Sequence, residues 1–449
     1  MHPKALLDEI ASLIEKVFKF DHPADAVVAR HFRENKSLGP RERATLSDTV
    51  FAVLRERLRF ESLARSGSGS KWRRLAILGF PGDRDFLKSA LTEPEKTWLG
   101  ACDQVTDADL MAPHRHNLPE WLASALREQV GSEFDALAAS FNQPAALDLR
   151  VNTLKKKREA VLAELQAAGL PAQATPYSPL GIRLQGKPNL SKLPAFANGD
   201  VEVQDEGSQL LALLLAPKRG EMVADFCAGA GGKTLALGAA MKNTGRLYAF
   251  DTSGHRLEAI KPRLARLKRL AGKLDRVLVD APCSGLGTLR RSPDLKWRQT
   301  PETVAAQAEL QQRILASAAR LLKPGGRLVY ATCSPLPQED EAVAAAFSAA
   351  HTDFQPLSVA QLLADAHVAP AATLCGGEDG RFLRLWPHRH GKKRPEQKTE
   401  LRVLPDGRYP WVPLVKTGPA GKIELFSAAS AGPGGAPFRL GRATLLGTE

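Results

Sequence analysis

Four short apolar runs, near residues 222–226, 246–250, 276–280 and 327–331, are separated by stretches with helical spacing, the longest from about Pro301 to Leu322. Strands that alternate with helices need crossover connections. Such crossovers build a mostly parallel, doubly wound sheet with both faces covered. This stretch is therefore α/β. Ligands gather beyond the carboxyl ends of strands in such a sheet, so the residues just past each run are where chemistry belongs.

The first run, Met222 to Phe226, enters Asp225-Phe226-Cys227-Ala228-Gly229-Ala230-Gly231-Gly232-Lys233-Thr234 and then a helix. A strand, a glycine loop and a helix start can turn backbone N–H groups toward an anionic or polar ligand. Two familiar loops are excluded by count. A P-loop needs glycine at 227, which is Cys227, and a Gly-x-Gly-x-x-Gly fingerprint from Gly229 needs glycine at 234, which is Thr234. Asp251 closes the second run, where a carboxylate can accept both hydroxyls of a ribose. The third run leads into Asp280-Ala281-Pro282-Cys283-Ser284-Gly285 and the fourth into Ala331-Thr332-Cys333-Ser334. Taken singly, either cysteine reads as a buried inert thiol. Two thiols at strand ends beside a nucleotide-type loop point instead to covalent chemistry on a substrate held next to a cofactor.

These motifs resemble the RNA 5-methylcytosine methyltransferases of the bacterial RsmB and eukaryotic NOP/NSUN type, over roughly Met1 to Gly391. The resemblance is closest to 16S ribosomal RNA members with a NusB-like N-terminal domain. It implies S-adenosylmethionine as cofactor, held by Cys227, Ala228, Gly229, Ala230, Gly231, Gly232 and Lys233, with Asp251 on the ribose and Asp280 also at the site. It further implies Cys333 as the nucleophile, Cys283 as the group that assists release, and Asp280 on the base edge. The chemistry needs such a pair. Cytosine C5 is a poor nucleophile until a thiolate adds to C6 and makes the ring an enamine. After methyl transfer the C5 proton must leave and the thiol must be expelled, which a second nearby group can assist. Cys102, Cys227 and Cys375 are expected to be structural, and none is given a chemical step. No metal is expected, since no close Cys-x-x-Cys spacing occurs and His388 with His390 reads better as a strand end.

The rest of the chain divides by pattern. Residues 1–65 read as a helical, NusB-like RNA-binding domain, with Leu6, Ile10, Leu13, Ile14 and Val17 at helical spacing and a second helix after Asp21-His22-Pro23. Residues 66–143 read as a helical linker that opens on Ser66-Gly67-Ser68-Gly69-Ser70, a loop or hinge. Residues 144–200 read as a small α+β, RRM-like domain carrying Arg150-Val151-Asn152-Thr153. Residues 201–391 read as the methyltransferase domain, and 392–449 as an atypical tail whose composition is compatible with disorder. The net charge of +13 favours a polyanionic partner, expected to be ribosomal RNA. Basic residues between Arg290 and Arg298 can meet phosphates and Trp297 can stack on a base; a helix-capping loop with a core tryptophan is the competing reading. No run is long and apolar enough for a membrane span, and five scattered cysteines do not form a secreted disulfide framework. A monomer in the cytoplasm is expected.

Two departures from the family pattern stand out. Between Asp251 and Asp280 there is room for one basic helix, Arg256 to Leu270, but not for a third strand with an acid at its end. After Phe382 to Pro387 the expected glycine-aromatic strand is replaced by Lys392-Lys393-Arg394-Pro395, with Ile423 to Phe426 as a candidate substitute. The leading expectation is thus an RNA cytosine-5 methyltransferase whose sheet lacks an edge strand. The alternative is an RNA-binding relative with a damaged cofactor site. A methyltransferase acting on protein or small molecules fits the paired cysteines and the charge less well.

Overall fold

The protein is described by a computed structural model covering residues 1–186, 188–251, 270–376, 380–390 and 412–415. It forms two compact units, Met1–Ala145 with Ser284–Pro301, and Ala146–Cys283 with Glu302–Glu449.

The first unit is helical. Pro3–Val17 starts with proline in its first turn and buries Leu6, Ile10, Leu13, Ile14 and Val17 along one stripe. Ala24–Glu34 follows Pro23 directly, and Pro40–Arg55 buries Leu46, Val50, Val53 and Leu54. The core does not stop at residue 65. Leu75, Ile77, Leu87 and Leu99 join the same cluster as Leu6 and Ile14. Ser66 to Ser70 is a connector inside this bundle rather than a free hinge. The Arg74 guanidinium donates to the Gly67 carbonyl, and Trp98 Nε1 donates to Ser66 Oγ at 3.1 Å.

Ser284–Pro301 belongs to this helical unit although it follows Cys283 immediately. Trp297 Nε1 donates to the Leu54 carbonyl at 2.7 Å, and Arg57 lies 5.0 Å over its ring. Lys296 is fully buried with Nζ donating to the Arg55 carbonyl at 2.7 Å; burial pulls it down to about 7. Arg290 donates to the Gln143 and Pro144 carbonyls. Of the two sequence readings of this segment, the core tryptophan is therefore the observed one. Trp297, Lys296 and Arg290 spend their polar groups on the helical unit's backbone.

The second unit opens with β1 (Leu147–Val151), a helix (Arg158–Ala167), β2 (Ala172–Ala174), β3 (Gly181–Leu184), a short helix (Pro194–Ala197) and β4 (Val201–Val203). The strands lie in the order β2-β3-β1-β4, all pairs antiparallel, which is the split βαβ arrangement of ferredoxin-like folds. Its buried cross-strand pair is Asp148 with Arg183, 2.7 Å apart.

The larger sheet contains β5 (Met222–Asp225), β6 (Arg246–Ala249), β7 (Leu274–Asp280), β8 (Leu322–Ala331), β9 (Gln355–Pro356) and β12 (Val412–Val415). Its order is β6-β5-β7-β8-β12-β9; β6, β5, β7 and β8 are parallel and β12 runs antiparallel to both neighbours. A two-stranded ribbon, β10 (Cys375–Gly376) with β11 (Phe382–Leu383), stands apart. Side chains alternate across the large sheet as a period of two requires. Ala224, Val277, Val279 and Tyr330 enter one core, while Val223, Leu278, Val329 and Ala331 enter the other.

This sheet bears on two expectations. The strand between β8 and β9 is supplied by Val412–Val415, inside the segment read as an atypical tail. The candidate substitute Ile423 to Phe426 lies outside the described residues. Among the described residues β6 is the edge of the parallel part, with no strand beyond it. The basic helix expected over Arg256 to Leu270 lies outside the described residues, apart from Leu270. Among the described residues no helix is long and apolar enough to cross a membrane.

Candidate active site

The glycine loop leaves β5 through Asp225 and enters the helix Gly232–Ala240. Gly229 (φ 54°) and Gly231 (φ 85°) take left-handed backbone conformations that other residues adopt only with strain. A Cβ at either would meet nothing within 4 Å, so the loop faces open space and presents backbone there. The Ala228 N–H donates to the Phe250 carbonyl at 2.6 Å and the Gly231 N–H to the Ala228 carbonyl at 2.8 Å, which stitches the loop to the end of β6. Such an open cradle at a helix start fits a ligand with polar or anionic groups.

Acids and a lysine frame this loop. Asp225 is fully buried and accepts from Thr234 Oγ1 at 2.7 Å; burial pushes its carboxyl up to about 6. Lys233 Nζ donates to Asp280 Oδ2 at 2.6 Å, so the loop's lysine reaches the last residue of β7. Asp251 stands two residues past β6, part-exposed, two strands away from Asp280 in the sheet order. Cys227 packs partly against the core beneath the loop. Arg150, a buried residue of β1, donates to the Gly232 carbonyl at 2.6 Å and to Gln204. The small sheet thereby holds the start of the loop's helix, a link hidden in sequence because the Arg150-Val151-Asn152-Thr153 stretch marks the small domain but not its partner 82 positions on.

The two cysteines meet. Cys283 Sγ lies 3.2 Å from Cys333 Sγ, and the Cys333 N–H donates to Cys283 Sγ at 3.3 Å. The hydrogen bond with Cys333, and then burial, push the Cys283 thiol well above its ordinary range. Of the two sulfurs Cys333 belongs to the exposed residue, while Cys283 is part-buried.

Beneath the pair runs a buried polar network that the motifs do not announce. Gln311, fully buried in the helix Pro301–Ala319, donates through Nε2 to the Pro282 carbonyl at 3.0 Å and to Glu339 Oε1 at 3.1 Å. Tyr330 Oη donates to the Glu339 carbonyl at 2.5 Å, and it lies 3.2 Å from Gln311 Oε1. Thr332 Oγ1 donates to Asp340 Oδ1 at 2.5 Å, and burial raises the Asp340 carboxyl well above the usual range. The available sequence signal was the polar Gln311 on an otherwise apolar helix face.

The remaining candidates separate from this site. Cys102 is buried in the helical unit, and Cys375 donates to the Ala371 carbonyl with its thiol pushed up to about 11 by burial. Both ring nitrogens of His390 are engaged, Nδ1 by the Trp386 N–H at 2.8 Å and Nε2 by the Thr373 carbonyl at 3.2 Å. Among the described residues no group of three or more His, Cys, Asp or Glu side chains is placed to hold a metal ion.

The chain is similar to known proteins. Residues 212–394 match the family model described as 16S rRNA methyltransferase RsmB/F, and residues 118–191 match a ferredoxin-like domain model of the same RsmF/B group. The chain is 34% identical over 334 residues to the probable ribosomal RNA small subunit methyltransferase B of Bacillus subtilis, covering 70% of this chain and 73% of that protein. It is 40% identical over 260 residues to the probable ribosomal RNA small subunit methyltransferase B of Synechocystis sp., covering 54% of this chain but only 58% of that one. Among solved structures, a methyltransferase homolog protein from Pyrococcus horikoshii is 25% identical with a TM-score of 0.51, covering 70% of this chain and all of that one.

Proposed function

Because the chain belongs to the RsmB/F methyltransferase family, we propose that it methylates C5 of cytosine in RNA, with 16S ribosomal RNA as the substrate. The observation that carries this reading is the pair of sulfurs 3.2 Å apart at the ends of neighbouring parallel strands. S-adenosylmethionine supplies the electrophilic methyl group when bound. Gly229 to Lys233 hold it through the open backbone of the loop, and Asp251 accepts its ribose hydroxyls. Arg150 keeps the loop's helix in place.

The protein's own groups do the rest. Cys333, the exposed sulfur, adds to C6 of the cytosine, forming an S–C6 bond and making C5 nucleophilic. Asp280 meets the N3 edge of the base and favours the charge change there, with Lys233 setting its position. After the methyl group is in place, the C5 proton passes to a base, the electron pair of that bond forms C5=C6, and the S–C6 bond breaks to return Cys333 as its thiolate. Cys283 assists this release from its place beside Cys333. The helical unit and the net charge of +13 supply RNA affinity.

The test is a calorimetric titration of the full-length protein with S-adenosylmethionine, followed by tritiated methyl transfer to an unmodified 16S transcript. Micromolar binding that Asp251→Ala weakens, with label recovered as 5-methylcytosine, supports the reading. The edge position of β6 among the described residues favours a second reading, an RNA-binding relative without a working cofactor site. A folded protein that retains the transcript but neither binds the cofactor nor transfers label would select it.

A further inference from the structure

Cys283 is held from two sides. In front, its sulfur accepts the Cys333 N–H at 3.3 Å. Behind, the carbonyl of Pro282, one peptide before it, accepts from Gln311 Nε2 at 3.0 Å. A glutamine with no solvent exposure in the middle of a helix is costly unless its amide is satisfied. Here the amide is spent on one small region. Nε2 also reaches Glu339 Oε1 at 3.1 Å, and Oε1 lies 3.2 Å from Tyr330 Oη.

Cys333 is held differently. Its neighbour Thr332 is tied by its hydroxyl to Asp340 at 2.5 Å, and the Ser334 N–H donates back to Thr332 Oγ1 at 3.0 Å. Neither bond uses Gln311. The two sulfurs therefore share one buried support, the turn from Leu336 to Asp340, but reach it through separate links. The glutamine bonds directly to the peptide before Cys283, whereas on the Cys333 side it meets only Tyr330 of β8, three residues back, and leaves the Thr332 anchor untouched.

We propose that Gln311 is the positioning residue for adduct release, fixing the Pro282–Cys283 turn so that the Cys283 sulfur stays beside Cys333. This rests on the functional reading above, in which Cys333 forms the covalent bond to C6 and Cys283 helps to break it. Loss of Gln311 leaves Cys333 on its own anchor and frees the Cys283 turn. Formation of the adduct then persists while its breakdown slows. A residue that merely stabilised the fold would depress both steps together.

The experiment compares Gln311→Met, Tyr330→Phe, Cys283→Ser and Cys333→Ser as full-length proteins, with S-adenosylmethionine and an unmodified 16S transcript. Covalent protein–RNA complex is read on a denaturing gel beside multiple-turnover methyl transfer, and thermal unfolding checks each fold. The expected result for Gln311→Met is turnover slowed on the order of 10- to 100-fold, as a displacement of about 1 Å costs. Trapped complex should rise toward the Cys283→Ser level, and first-turnover adduct formation should stay within about threefold of the parent, since the Thr332 anchor keeps Cys333 aligned. Tyr330→Phe, which removes the hydroxyl beside Gln311 Oε1, should shift the same way by less. A folded Gln311→Met with parental turnover, or one that loses adduct formation and turnover in equal proportion, overturns the proposal. Should Gln311→Met fail to fold, Tyr330→Phe decides: trapped complex supports the proposal and its absence overturns it. If Cys283→Ser traps no RNA while Cys333→Ser is inactive, the release role of Cys283 is wrong and the proposal falls with it. A Gln311→Met effect without trapping beside a trapping Cys283→Ser sinks the proposal alone.

Discussion

The two halves of the parallel sheet present their strand ends in opposite ways. At the ends of β5 and β6 the chain offers bare backbone: Gly229 and Gly231 in left-handed conformations with open space where a Cβ would stand. At the ends of β7 and β8 it offers two sulfurs in contact, underpinned by Gln311, Tyr330, Glu339, Thr332 and Asp340. The first half needs a loop that can approach a ligand closely, which local glycines supply. The second needs two atoms held to a fraction of an ångström, and that demands cross-links from residues far along the chain. Binding by backbone is a local property; alignment of reacting atoms is not.

The contrast can be broken or sharpened in four places. The largest effect belongs to the cysteine half. Cys333→Ser should lower methyl transfer by at least about 10³-fold, as loss of a nucleophile does. Cofactor affinity measured by calorimetry should hardly change; a matching loss of affinity would mean that the two halves are not separable.

Next comes Asp225, whose carboxyl is raised from an ordinary 3.8 to about 6 by burial. The folded chain binds this proton more tightly than the unfolded chain. The group therefore favours folding fully below about pH 4, and that contribution is lost as pH rises through about 6. A shift of this size corresponds to about 3 kcal/mol at most. Asp225→Asn should be more stable than the parent at pH 8 and nearly equal to it at pH 4 in urea melts. A difference independent of pH would contradict the assignment.

Thr332→Val keeps the shape but leaves Asp340 without its donor, which should cost about 1–3 kcal/mol because the acceptor is buried. Denaturant midpoints would show this, and a cost near zero would mean that the cysteine half is less cross-linked than its geometry implies. The smallest effect is expected at Gly231→Ala, about 1–2 kcal/mol of backbone strain with no clash. Cofactor affinity should fall more than stability does, since the loop's role is presentation. Equal losses would make it a structural turn.

Much of the site was legible in the residues. Each strand end lies within a few positions of the glycine loop or cysteine motif that follows it, and local apolar runs announce β5 to β8. The helical stripe from Leu6 to Val17 was equally plain. What stayed hidden is non-local. Trp297 and Lys296 read equally as residues for RNA or as parts of a capping loop with a core tryptophan, and the choice fell to the carbonyls of Leu54 and Arg55, some 240 positions away, which accept from them. Val412–Val415 gives no strong strand signal, holding a proline and lying among polar and glycine-rich sequence. Its place is conferred by β8 and β9 on either side.

By itself the sequence determined the doubly wound sheet, the glycine loop at its first strand end and the two thiols, because periodicity, glycine conformations and short motifs are properties of neighbouring residues. Only the tertiary structure decided that the sulfurs touch, that Lys233 reaches Asp280, that Gln311 anchors the turn before Cys283, and which distant strand fills the sheet. Each of these is a pairing of groups with no fixed spacing along the chain. They are chosen when a buried polar atom must find a partner or a strand must find a neighbour in the packed interior.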